Sequence, residues 1–376
     1  MYLKRFIRIL SACMIPAMLF AACGAAAPAA PATEPTEDIM KHAYHKEDPA
    51  ADDTLSILTL GSSNSYYFLD ELYGLLDAAG IKAKVCTLMR SSTSVLDYHK
   101  FWKDNENVFQ FIIHDEKGFT TLENMNLDMA LKYYNFDVYS MQEWGAPHRQ
   151  GKAPQVIADE RALAHKEIFD HVREKCPLTK LYYNEHVALD IGYDNGTYQM
   201  TTVEQREAYQ KSIRDYTEIV CKDFDLRLTP SGRAWSIARQ DPLGNCLTAR
   251  LAINNGEGDY AHDGDIGGGQ YLNACTWFEN LTGQSCVGNT FRPVYTHAGR
   301  EYTLSEEMIS LLQNAAHQAV EELKKRKIRY SAASIFGAAD FCRCRSNSDL
   351  ARCWIEVQPK AFPLRGRWQK SLIFDG

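Results

Sequence analysis

Past residue 22 the sequence has no apolar run of the roughly 20 residues that a membrane-crossing helix needs. It has no surplus of positive charge either. Lys and Arg number 41 against 48 Asp and Glu, for a formal net charge of −7, which excludes a general nucleic-acid binder with its basic surface. No two of the 11 cysteines take the CxxC spacing of a zinc module, and no repeat period marks a solenoid or a propeller. What is present is ordinary globular material, 45% hydrophobic and 24% charged over 376 residues. That is enough to bury the core of one large catalytic domain with appendages.

The N-terminus is distinctive. Lys4, Arg5 and Arg8 precede the apolar run Ile9 to Ala22, which ends at Cys23. A basic start, a short apolar stretch and small residues read as an export signal. Phe20-Ala21-Ala22-Cys23 is similar to a bacterial lipobox, with Phe20 where leucine is usual. Residues 1–23 are then a lipoprotein signal, and acyl chains on Cys23 anchor the protein to a membrane. An ordinary signal with an incidental cysteine is the alternative. Residues 24–53, rich in Ala, Pro and acidic side chains, read as a disordered linker. The expected location is the bacterial cell envelope, on the exported side. Export permits disulfides, but spacing does not pair Cys86, Cys176, Cys221, Cys246, Cys275 and Cys286. Cys275, inside an apolar helical pattern, reads as a buried small hydrophobe.

The chain is organised around residues 54–80. The apolar run Leu55 to Leu60 ends at Gly61, Ser62, Ser63 and Asn64 follow, and Phe68, Leu69, Leu72, Leu75 and Leu76 then recur at helical spacing. This predicts a strand, a tight turn and a helix. In an open α/β sheet such turns lie at the carboxyl ends of strands, where ligands bind, and the free N–H groups of a helix start favour developing negative charge. Ser63 is therefore the candidate nucleophile. The alternative is that Ser62, Ser63 and Ser65 cap the helix.

Further strands are expected over Ile81–Met89, Gln110–Asp115, Phe136–Trp144 and Leu178–Leu189, and helices within Arg90–Trp102 and over Leu122–Tyr134, Ala158–Lys175 and Thr202–Val220. A short strand, a turn and a helix follow from Asp225 to Gln240, then a helix over Gln270–Leu281 and a last one over Glu301–Lys327. This alternation is the α/β signature. It predicts a domain over 54–330 and an atypical, disordered tail over 331–376, where Cys342, Cys344 and Cys353 sit among arginines without amphipathic spacing.

The second informative stretch is 255–283, a Gly/Asp loop running into an apolar helix. In it Asp259 precedes His262 by three residues, so the carboxylate can accept a hydrogen bond from the ring and hold its tautomer. The competing reading is a calcium loop of Asp259, Asp263 and Asp265, whose spacing does not match an EF-hand. His99 and His114 have no acid at useful spacing and read as structural. Trp144, Tyr260 and Trp277 read either as core or as the lining of a sugar cleft.

Together these residues resemble the SGNH/GDSL-type hydrolases, over about Leu55 to Pro293. Gly61-Ser62-Ser63-Asn64-Ser65 resembles that superfamily's first block, and Asp259 to His262 its final Asp-x-x-His block. More narrowly, Tyr139-Ser140-Met141-Gln142 and the run from Gly269 to Gly283 are similar to a branch of uncharacterised exported bacterial SGNH-like proteins. The resemblance implies a flavodoxin-like three-layer α/β sandwich with a doubly wound, mostly parallel sheet. It implies an esterase in which Ser63 attacks, His262 is the base and Asp259 orients it, with no metal or other cofactor. The oxyanion would meet the Ser63 N–H, a backbone N–H near Ser92 and the Gln142 amide. Substrates would be acylated carbohydrates or other small esters, with acetyl the expected group. Three positions depart from the pattern: Ser62 replaces Asp or Asn, the loop Arg90 to Ser94 lacks the second-block glycine, and Gln142 replaces asparagine. A catalytically impaired glycan-binding or scaffold lipoprotein is the alternative that these departures support.

Overall fold

The computed structural model describes residues 53–341 apart from 63–64, 67, 92, 135, 144–150, 189–200, 245–246, 248–267 and 298–299; the side chains of 296–300 and 327–341 are not described. The chain divides into two compact units, 1–321 and 322–376.

The first unit is built on one sheet of seven strands among the described residues: β1 Leu55–Gly61, β2 Ala83–Met89, β3 Phe109–Asp115, β4 Gly118–Met125, β5 Val138–Met141, β6 Lys180–Asn184 and β7 Arg227–Thr229, in the order β4-β3-β2-β1-β5-β6-β7. Strands β2, β1, β5, β6 and β7 run parallel, while β3 and β4 join as an antiparallel hairpin outside β2. Taken alone, the five parallel strands have the doubly wound 2-1-3-4-5 order, which reverses between the first and third of them. Here that point lies between β1 and β5. The expected α/β sandwich with a mostly parallel sheet is the observed fold.

Helices α1 Leu69–Ala78, α2 Val95–Lys103, α3 Leu127–Tyr133, α4 Pro154–Lys175, α5 Val203–Asp223, α6 Ser231–Ala238, α7 Gly268–Thr282 and α8 Glu306–Phe341 complete the described elements, with a small hairpin of β8 Val294–His297 and β9 Arg300–Thr303. Their starts follow local chemistry. Ser94 and Asp97 form a reciprocal capping box on α2, Pro154 occupies the first turn of α4, where a missing N–H costs nothing, and Thr202 accepts from Gln205 N–H to cap α5. On one face of the sheet Ile57, Val85 and Val138 join a core with Leu72 of α1, Trp277 of α7 and Leu312 of α8. Elsewhere in the core Tyr139 of β5 meets Phe169 of α4 edge-on, with ring centroids 6.0 Å apart. At the β7 margin Asn280 of α7 gives its side-chain amide to the Leu228 carbonyl at 3.2 Å and to Thr229 Oγ1 at 3.1 Å.

Three expectations about elements are corrected. The helix expected over Leu122–Tyr134 begins only at Leu127, because residues through Met125 pair with β3. Glu301 to Thr303 belong to β9, so the last helix starts at Glu306. That helix runs to Phe341, past the Lys327 end expected for it.

Gly61 closes β1 where only a residue without a side chain fits. A Cβ there would lie 2.4 Å from Ser65 Oγ, 2.7 Å from Ser65 Cβ and 3.2 Å from the Gln142 carbonyl oxygen. Gly61→Ala is expected to destabilise the domain by about 1–3 kcal/mol, as overpacking does. A lower urea midpoint at unchanged slope is the readout, and an unaltered midpoint would show that the turn can yield.

Candidate functional site

The C-terminal ends of β1 and β5 meet beside the turn that follows Gly61. Gln142 N–H bonds the Leu60 carbonyl at 3.0 Å, continuing the ladder one residue past β5. The turn closes through Ser65 N–H to the Ser62 carbonyl at 2.9 Å, and Ser65 Oγ donates to the same carbonyl at 2.7 Å. Buried hydroxyls tie it to the sheet: Thr59 donates to Thr87 at 2.7 Å, and Ser65 lies 3.4 Å from Thr87. Ser63 lies outside the described residues. The capping alternative is nonetheless decided for its neighbours. The N-cap of α1 is Phe68, with no side-chain capping bond, so neither Ser62 nor Ser65 caps that helix. Ser62 Oγ is buried and has no hydrogen-bond partner among the described residues.

Gln142 is the one predicted site residue that the structure describes. Its side chain is buried, 4% exposed. Asn184, at the end of β6, donates its amide to Gln142 Oε1 at 2.8 Å, and Ser231, at the start of α6, donates its hydroxyl to Asn184 Oδ1 at 2.7 Å. This donor chain fixes the orientation of both amides. With Oε1 engaged as an acceptor, the NH2 group of Gln142 is the end left to donate.

Glu143 anchors the adjacent loops. Its buried carboxylate accepts from Val95 N–H at the start of α2 at 3.1 Å, from Arg161 Nε at 3.3 Å, and from the hydroxyls of Tyr183, at 3.3 Å, and Tyr216. One residue beyond Gln142 thus holds the second-block loop, whose Arg90 N–H bonds the Gly61 carbonyl at 3.2 Å. Burial, reinforced by the Glu143 charge, pushes the Tyr183 and Tyr216 phenols well above their usual range, so both remain donors. His165 lies beneath, its ring nitrogens 3.2 Å from the Arg161 carbonyl and 3.4 Å from Tyr183 Oη. Burial pushes it down to about 4, against the opposing pull of Glu143, and its ring is neutral at pH 7.

Ser92, Asp259 and His262, with the calcium-loop alternatives Asp263 and Asp265, lie outside the described residues, as do Cys23, Trp144 and Tyr260. The ends of the segment that carries Asp259 and His262 are described. A Cβ on Gly268 would come within 2.9 Å of Leu247 Cδ2, and one on Gly269 within 2.3 Å of Trp235 Cζ2 in α6, one turn past Ser231. About two turns further along α7, Trp277 packs on Phe68, which follows the serine turn, with ring centroids 5.1 Å apart. Trp277 is therefore core rather than cleft lining. The flanks of the two informative stretches converge on this edge of the sheet.

The two spare histidines lie elsewhere. His99 bonds Glu167 of α4 at 2.8 Å. His114 pairs in register with Val85, near the start of β2, and is stacked between Tyr73 and Phe119 with Asp70 3.5 Å from Nδ1. Each has an acid partner, supplied by the fold and invisible in local spacing. A cavity of about 470 Å³ lined by Tyr73, Lys84, Asp115 and Tyr134 opens at the N-terminal ends of β1 and β2, the opposite edge from Gln142. Lys84 there is already engaged, with Asp115 at 3.5 Å and over the Tyr134 ring at 4.1 Å.

Sequence reasoning singled out Gln142 but not the residues around it, Asn184, Ser231 and Glu143. An asparagine that closes a parallel strand was the available signal for the first of these.

Among solved structures the chain is similar to a DUF4886 family protein from Bacteroides uniformis, with 22% identity and a TM-score of 0.56 over 71% of this chain and 95% of that one. It is also similar to an acetyl xylan esterase from Geobacillus stearothermophilus, with 12% identity and a TM-score of 0.36 over 61% of this chain and 94% of that one. No curated protein matches the chain. Residues 56–319 match the family described as domain of unknown function DUF4886, and the chain belongs to that family.

Proposed function

We propose that this protein is an exported serine esterase of the SGNH type, anchored through lipidated Cys23, that removes acetyl or other small acyl groups from carbohydrates. Ser63 Oγ attacks the ester carbonyl as His262 takes its proton, and Asp259 orients and stabilises the imidazolium. Negative charge on the carbonyl oxygen is met by the Ser63 N–H, a backbone N–H near Ser92 and the Gln142 side-chain amide. The proton then passes from His262 to the leaving alcohol. Water, deprotonated by the same imidazole, releases the acid and restores the serine.

The observation that carries this reading is the donor chain from Ser231 through Asn184 to Gln142. It leaves the NH2 end of Gln142 as the donor at the sheet's reversal point, beside the serine turn. Preorganised donors of this kind stabilise an oxyanion without reorganising at the moment of reaction.

The test is hydrolysis of p-nitrophenyl acetate and of acetylated oligosaccharides by the full chain and by Ser63→Ala. Turnover by the wild type and its loss in the variant are expected. Equal turnover by both would overturn the mechanism. No turnover of any ester, together with saturable binding of sugars, would establish the impaired glycan-binding lipoprotein instead.

A further inference from the structure

Two cysteines outside the proposed triad share one set of hydrogen-bonded neighbours. Cys275 lies in the middle of α7 and Cys286 just beyond its end, and both are fully buried thiols. Gly283 ends the helix with a φ of 73°, a left-handed turn that suits glycine, and sends the chain back along the helix. The return is fixed from both directions. Cys286 N–H bonds Glu279 Oε2 at 3.0 Å, and Glu279 is one turn after Cys275 on the same face. Cys286 Sγ donates to the Gln313 carbonyl at 3.3 Å, while the Gln313 amide bonds Tyr271 Oη at 2.9 Å, and Tyr271 is one turn before Cys275. Cys286 is thus bracketed by partners at the positions four before and four after Cys275. The Cys275 side chain acts on the Cys286 thiol and helps to raise it above its usual range.

We propose that Cys275 and Cys286 form an intramolecular disulfide in the exported protein, stapling the return segment onto α7. This goes beyond the esterase reading and shares only its premise of export. In the crosslinking step the two S–H groups are oxidised to one S–S bond. The two electrons and two protons pass to the disulfide of a thiol-oxidising donor outside the cytoplasm, which is reduced to a dithiol. In the folded chain the neighbouring Cys275 side chain and burial hold the Cys286 thiol above its usual range, so little of it is the reactive thiolate. The crosslink therefore forms while the chain folds. Among the described residues Cys86, Cys176 and Cys221 are also buried thiols.

The test is a thiol map of the full chain. Cells exporting the protein are quenched with acid, unfolded in guanidinium and treated with N-ethylmaleimide before any reductant, then digested for mass spectrometry. The expected result is one linked species carrying Cys275 and Cys286, two hydrogens lighter than the separate thiol peptides and free of maleimide. Reducing this disulfide should lower Tm by about 5 °C, as expected for a crosslink closing a short loop. Maleimide on both residues, or linkage of either to a different cysteine, would overturn the proposal. Refolding the reduced chain in a glutathione buffer shows which premise failed. No linkage in either arm removes the contact, and linkage in the buffer alone removes export and with it the disulfide. Neither arm measures ester hydrolysis, so the outcome is separate from that of the esterase test.

Discussion

Gln142→Ala should lower kcat for ester hydrolysis by about a hundred- to a thousandfold, with KM changed far less. That is the usual cost of losing one preorganised donor to an oxyanion, and the split follows because the charge it meets exists only in the transition state. The orientation of Gln142 rests on Asn184, whose amide occupies Oε1 at 2.8 Å. Asn184→Asp replaces that donor with an acceptor of nearly the same shape, while Ser231 can still donate to it. The Gln142 amide would then turn its NH2 toward residue 184 and away from the substrate. The expected loss is about ten- to a hundredfold in kcat, the scale on which misplacement of a reacting partner acts. Asn184 is a positioning residue, so its variant should keep its KM near the wild-type value. Steady-state kinetics on both variants check the pair. An unchanged kcat in Gln142→Ala would remove this side chain from the oxyanion site.

Glu71→Gln should stabilise the protein at neutral and alkaline pH and leave it nearly unchanged in acid. Glu71 is buried in the first turn of α1. Burial pushes its carboxyl up to about 8, the charge of Asp70 adds to the rise, and hydrogen bonds from the backbone and from Tyr295 oppose it. A carboxyl raised in the folded state binds a proton there more tightly than in the unfolded chain. Its contribution is therefore fully present below the unfolded pKa of 4.5 and is lost as pH rises through about 8. At pH 7 that loss is about 3 kcal/mol. Glutamine keeps the size and stays neutral. Its NH2 takes a place comparable to that of Oε2, which has no hydrogen-bond partner among the described residues, so one unpartnered polar atom replaces another. Urea midpoints at pH 5 and pH 8 are the check: the wild type should lose stability between them and the variant should not. Parallel pH dependence in the two proteins would show that Glu71 does not carry the effect.

The order of α/β elements was legible because periodicity survives without knowledge of neighbours. Leu55 to Leu60 and the helical recurrence from Phe68 to Leu76 needed no tertiary information. The second half of β4, from Leu122, was misread as helix because its side chains face solvent: most of residues 118–125 are exposed or half-exposed, so no alternation of apolar residues marks it. β8 and β9 have four residues each, too short to show a period of two. At the candidate site, Gln142 could be singled out because it follows a strong strand and matches a motif. Asn184 and Ser231 could not be tied to it, since they lie 42 and 89 positions further on and become neighbours only through the strand order. The same holds for Glu143, whose four donors come from α2, α4, β6 and α5.

The bond from Asn280 to Leu228 has a bearing on how copies of this protein behave at high concentration. A bare outermost strand offers its carbonyls and N–H groups to any passing chain, which is how sheets extend into aggregates. β7 has only three residues, and an intruding strand would have to evict the Asn280 amide before it could pair with Leu228. The margin of the sheet nearest Asn184 and Ser231 is in this way protected against recruitment by a neighbouring molecule.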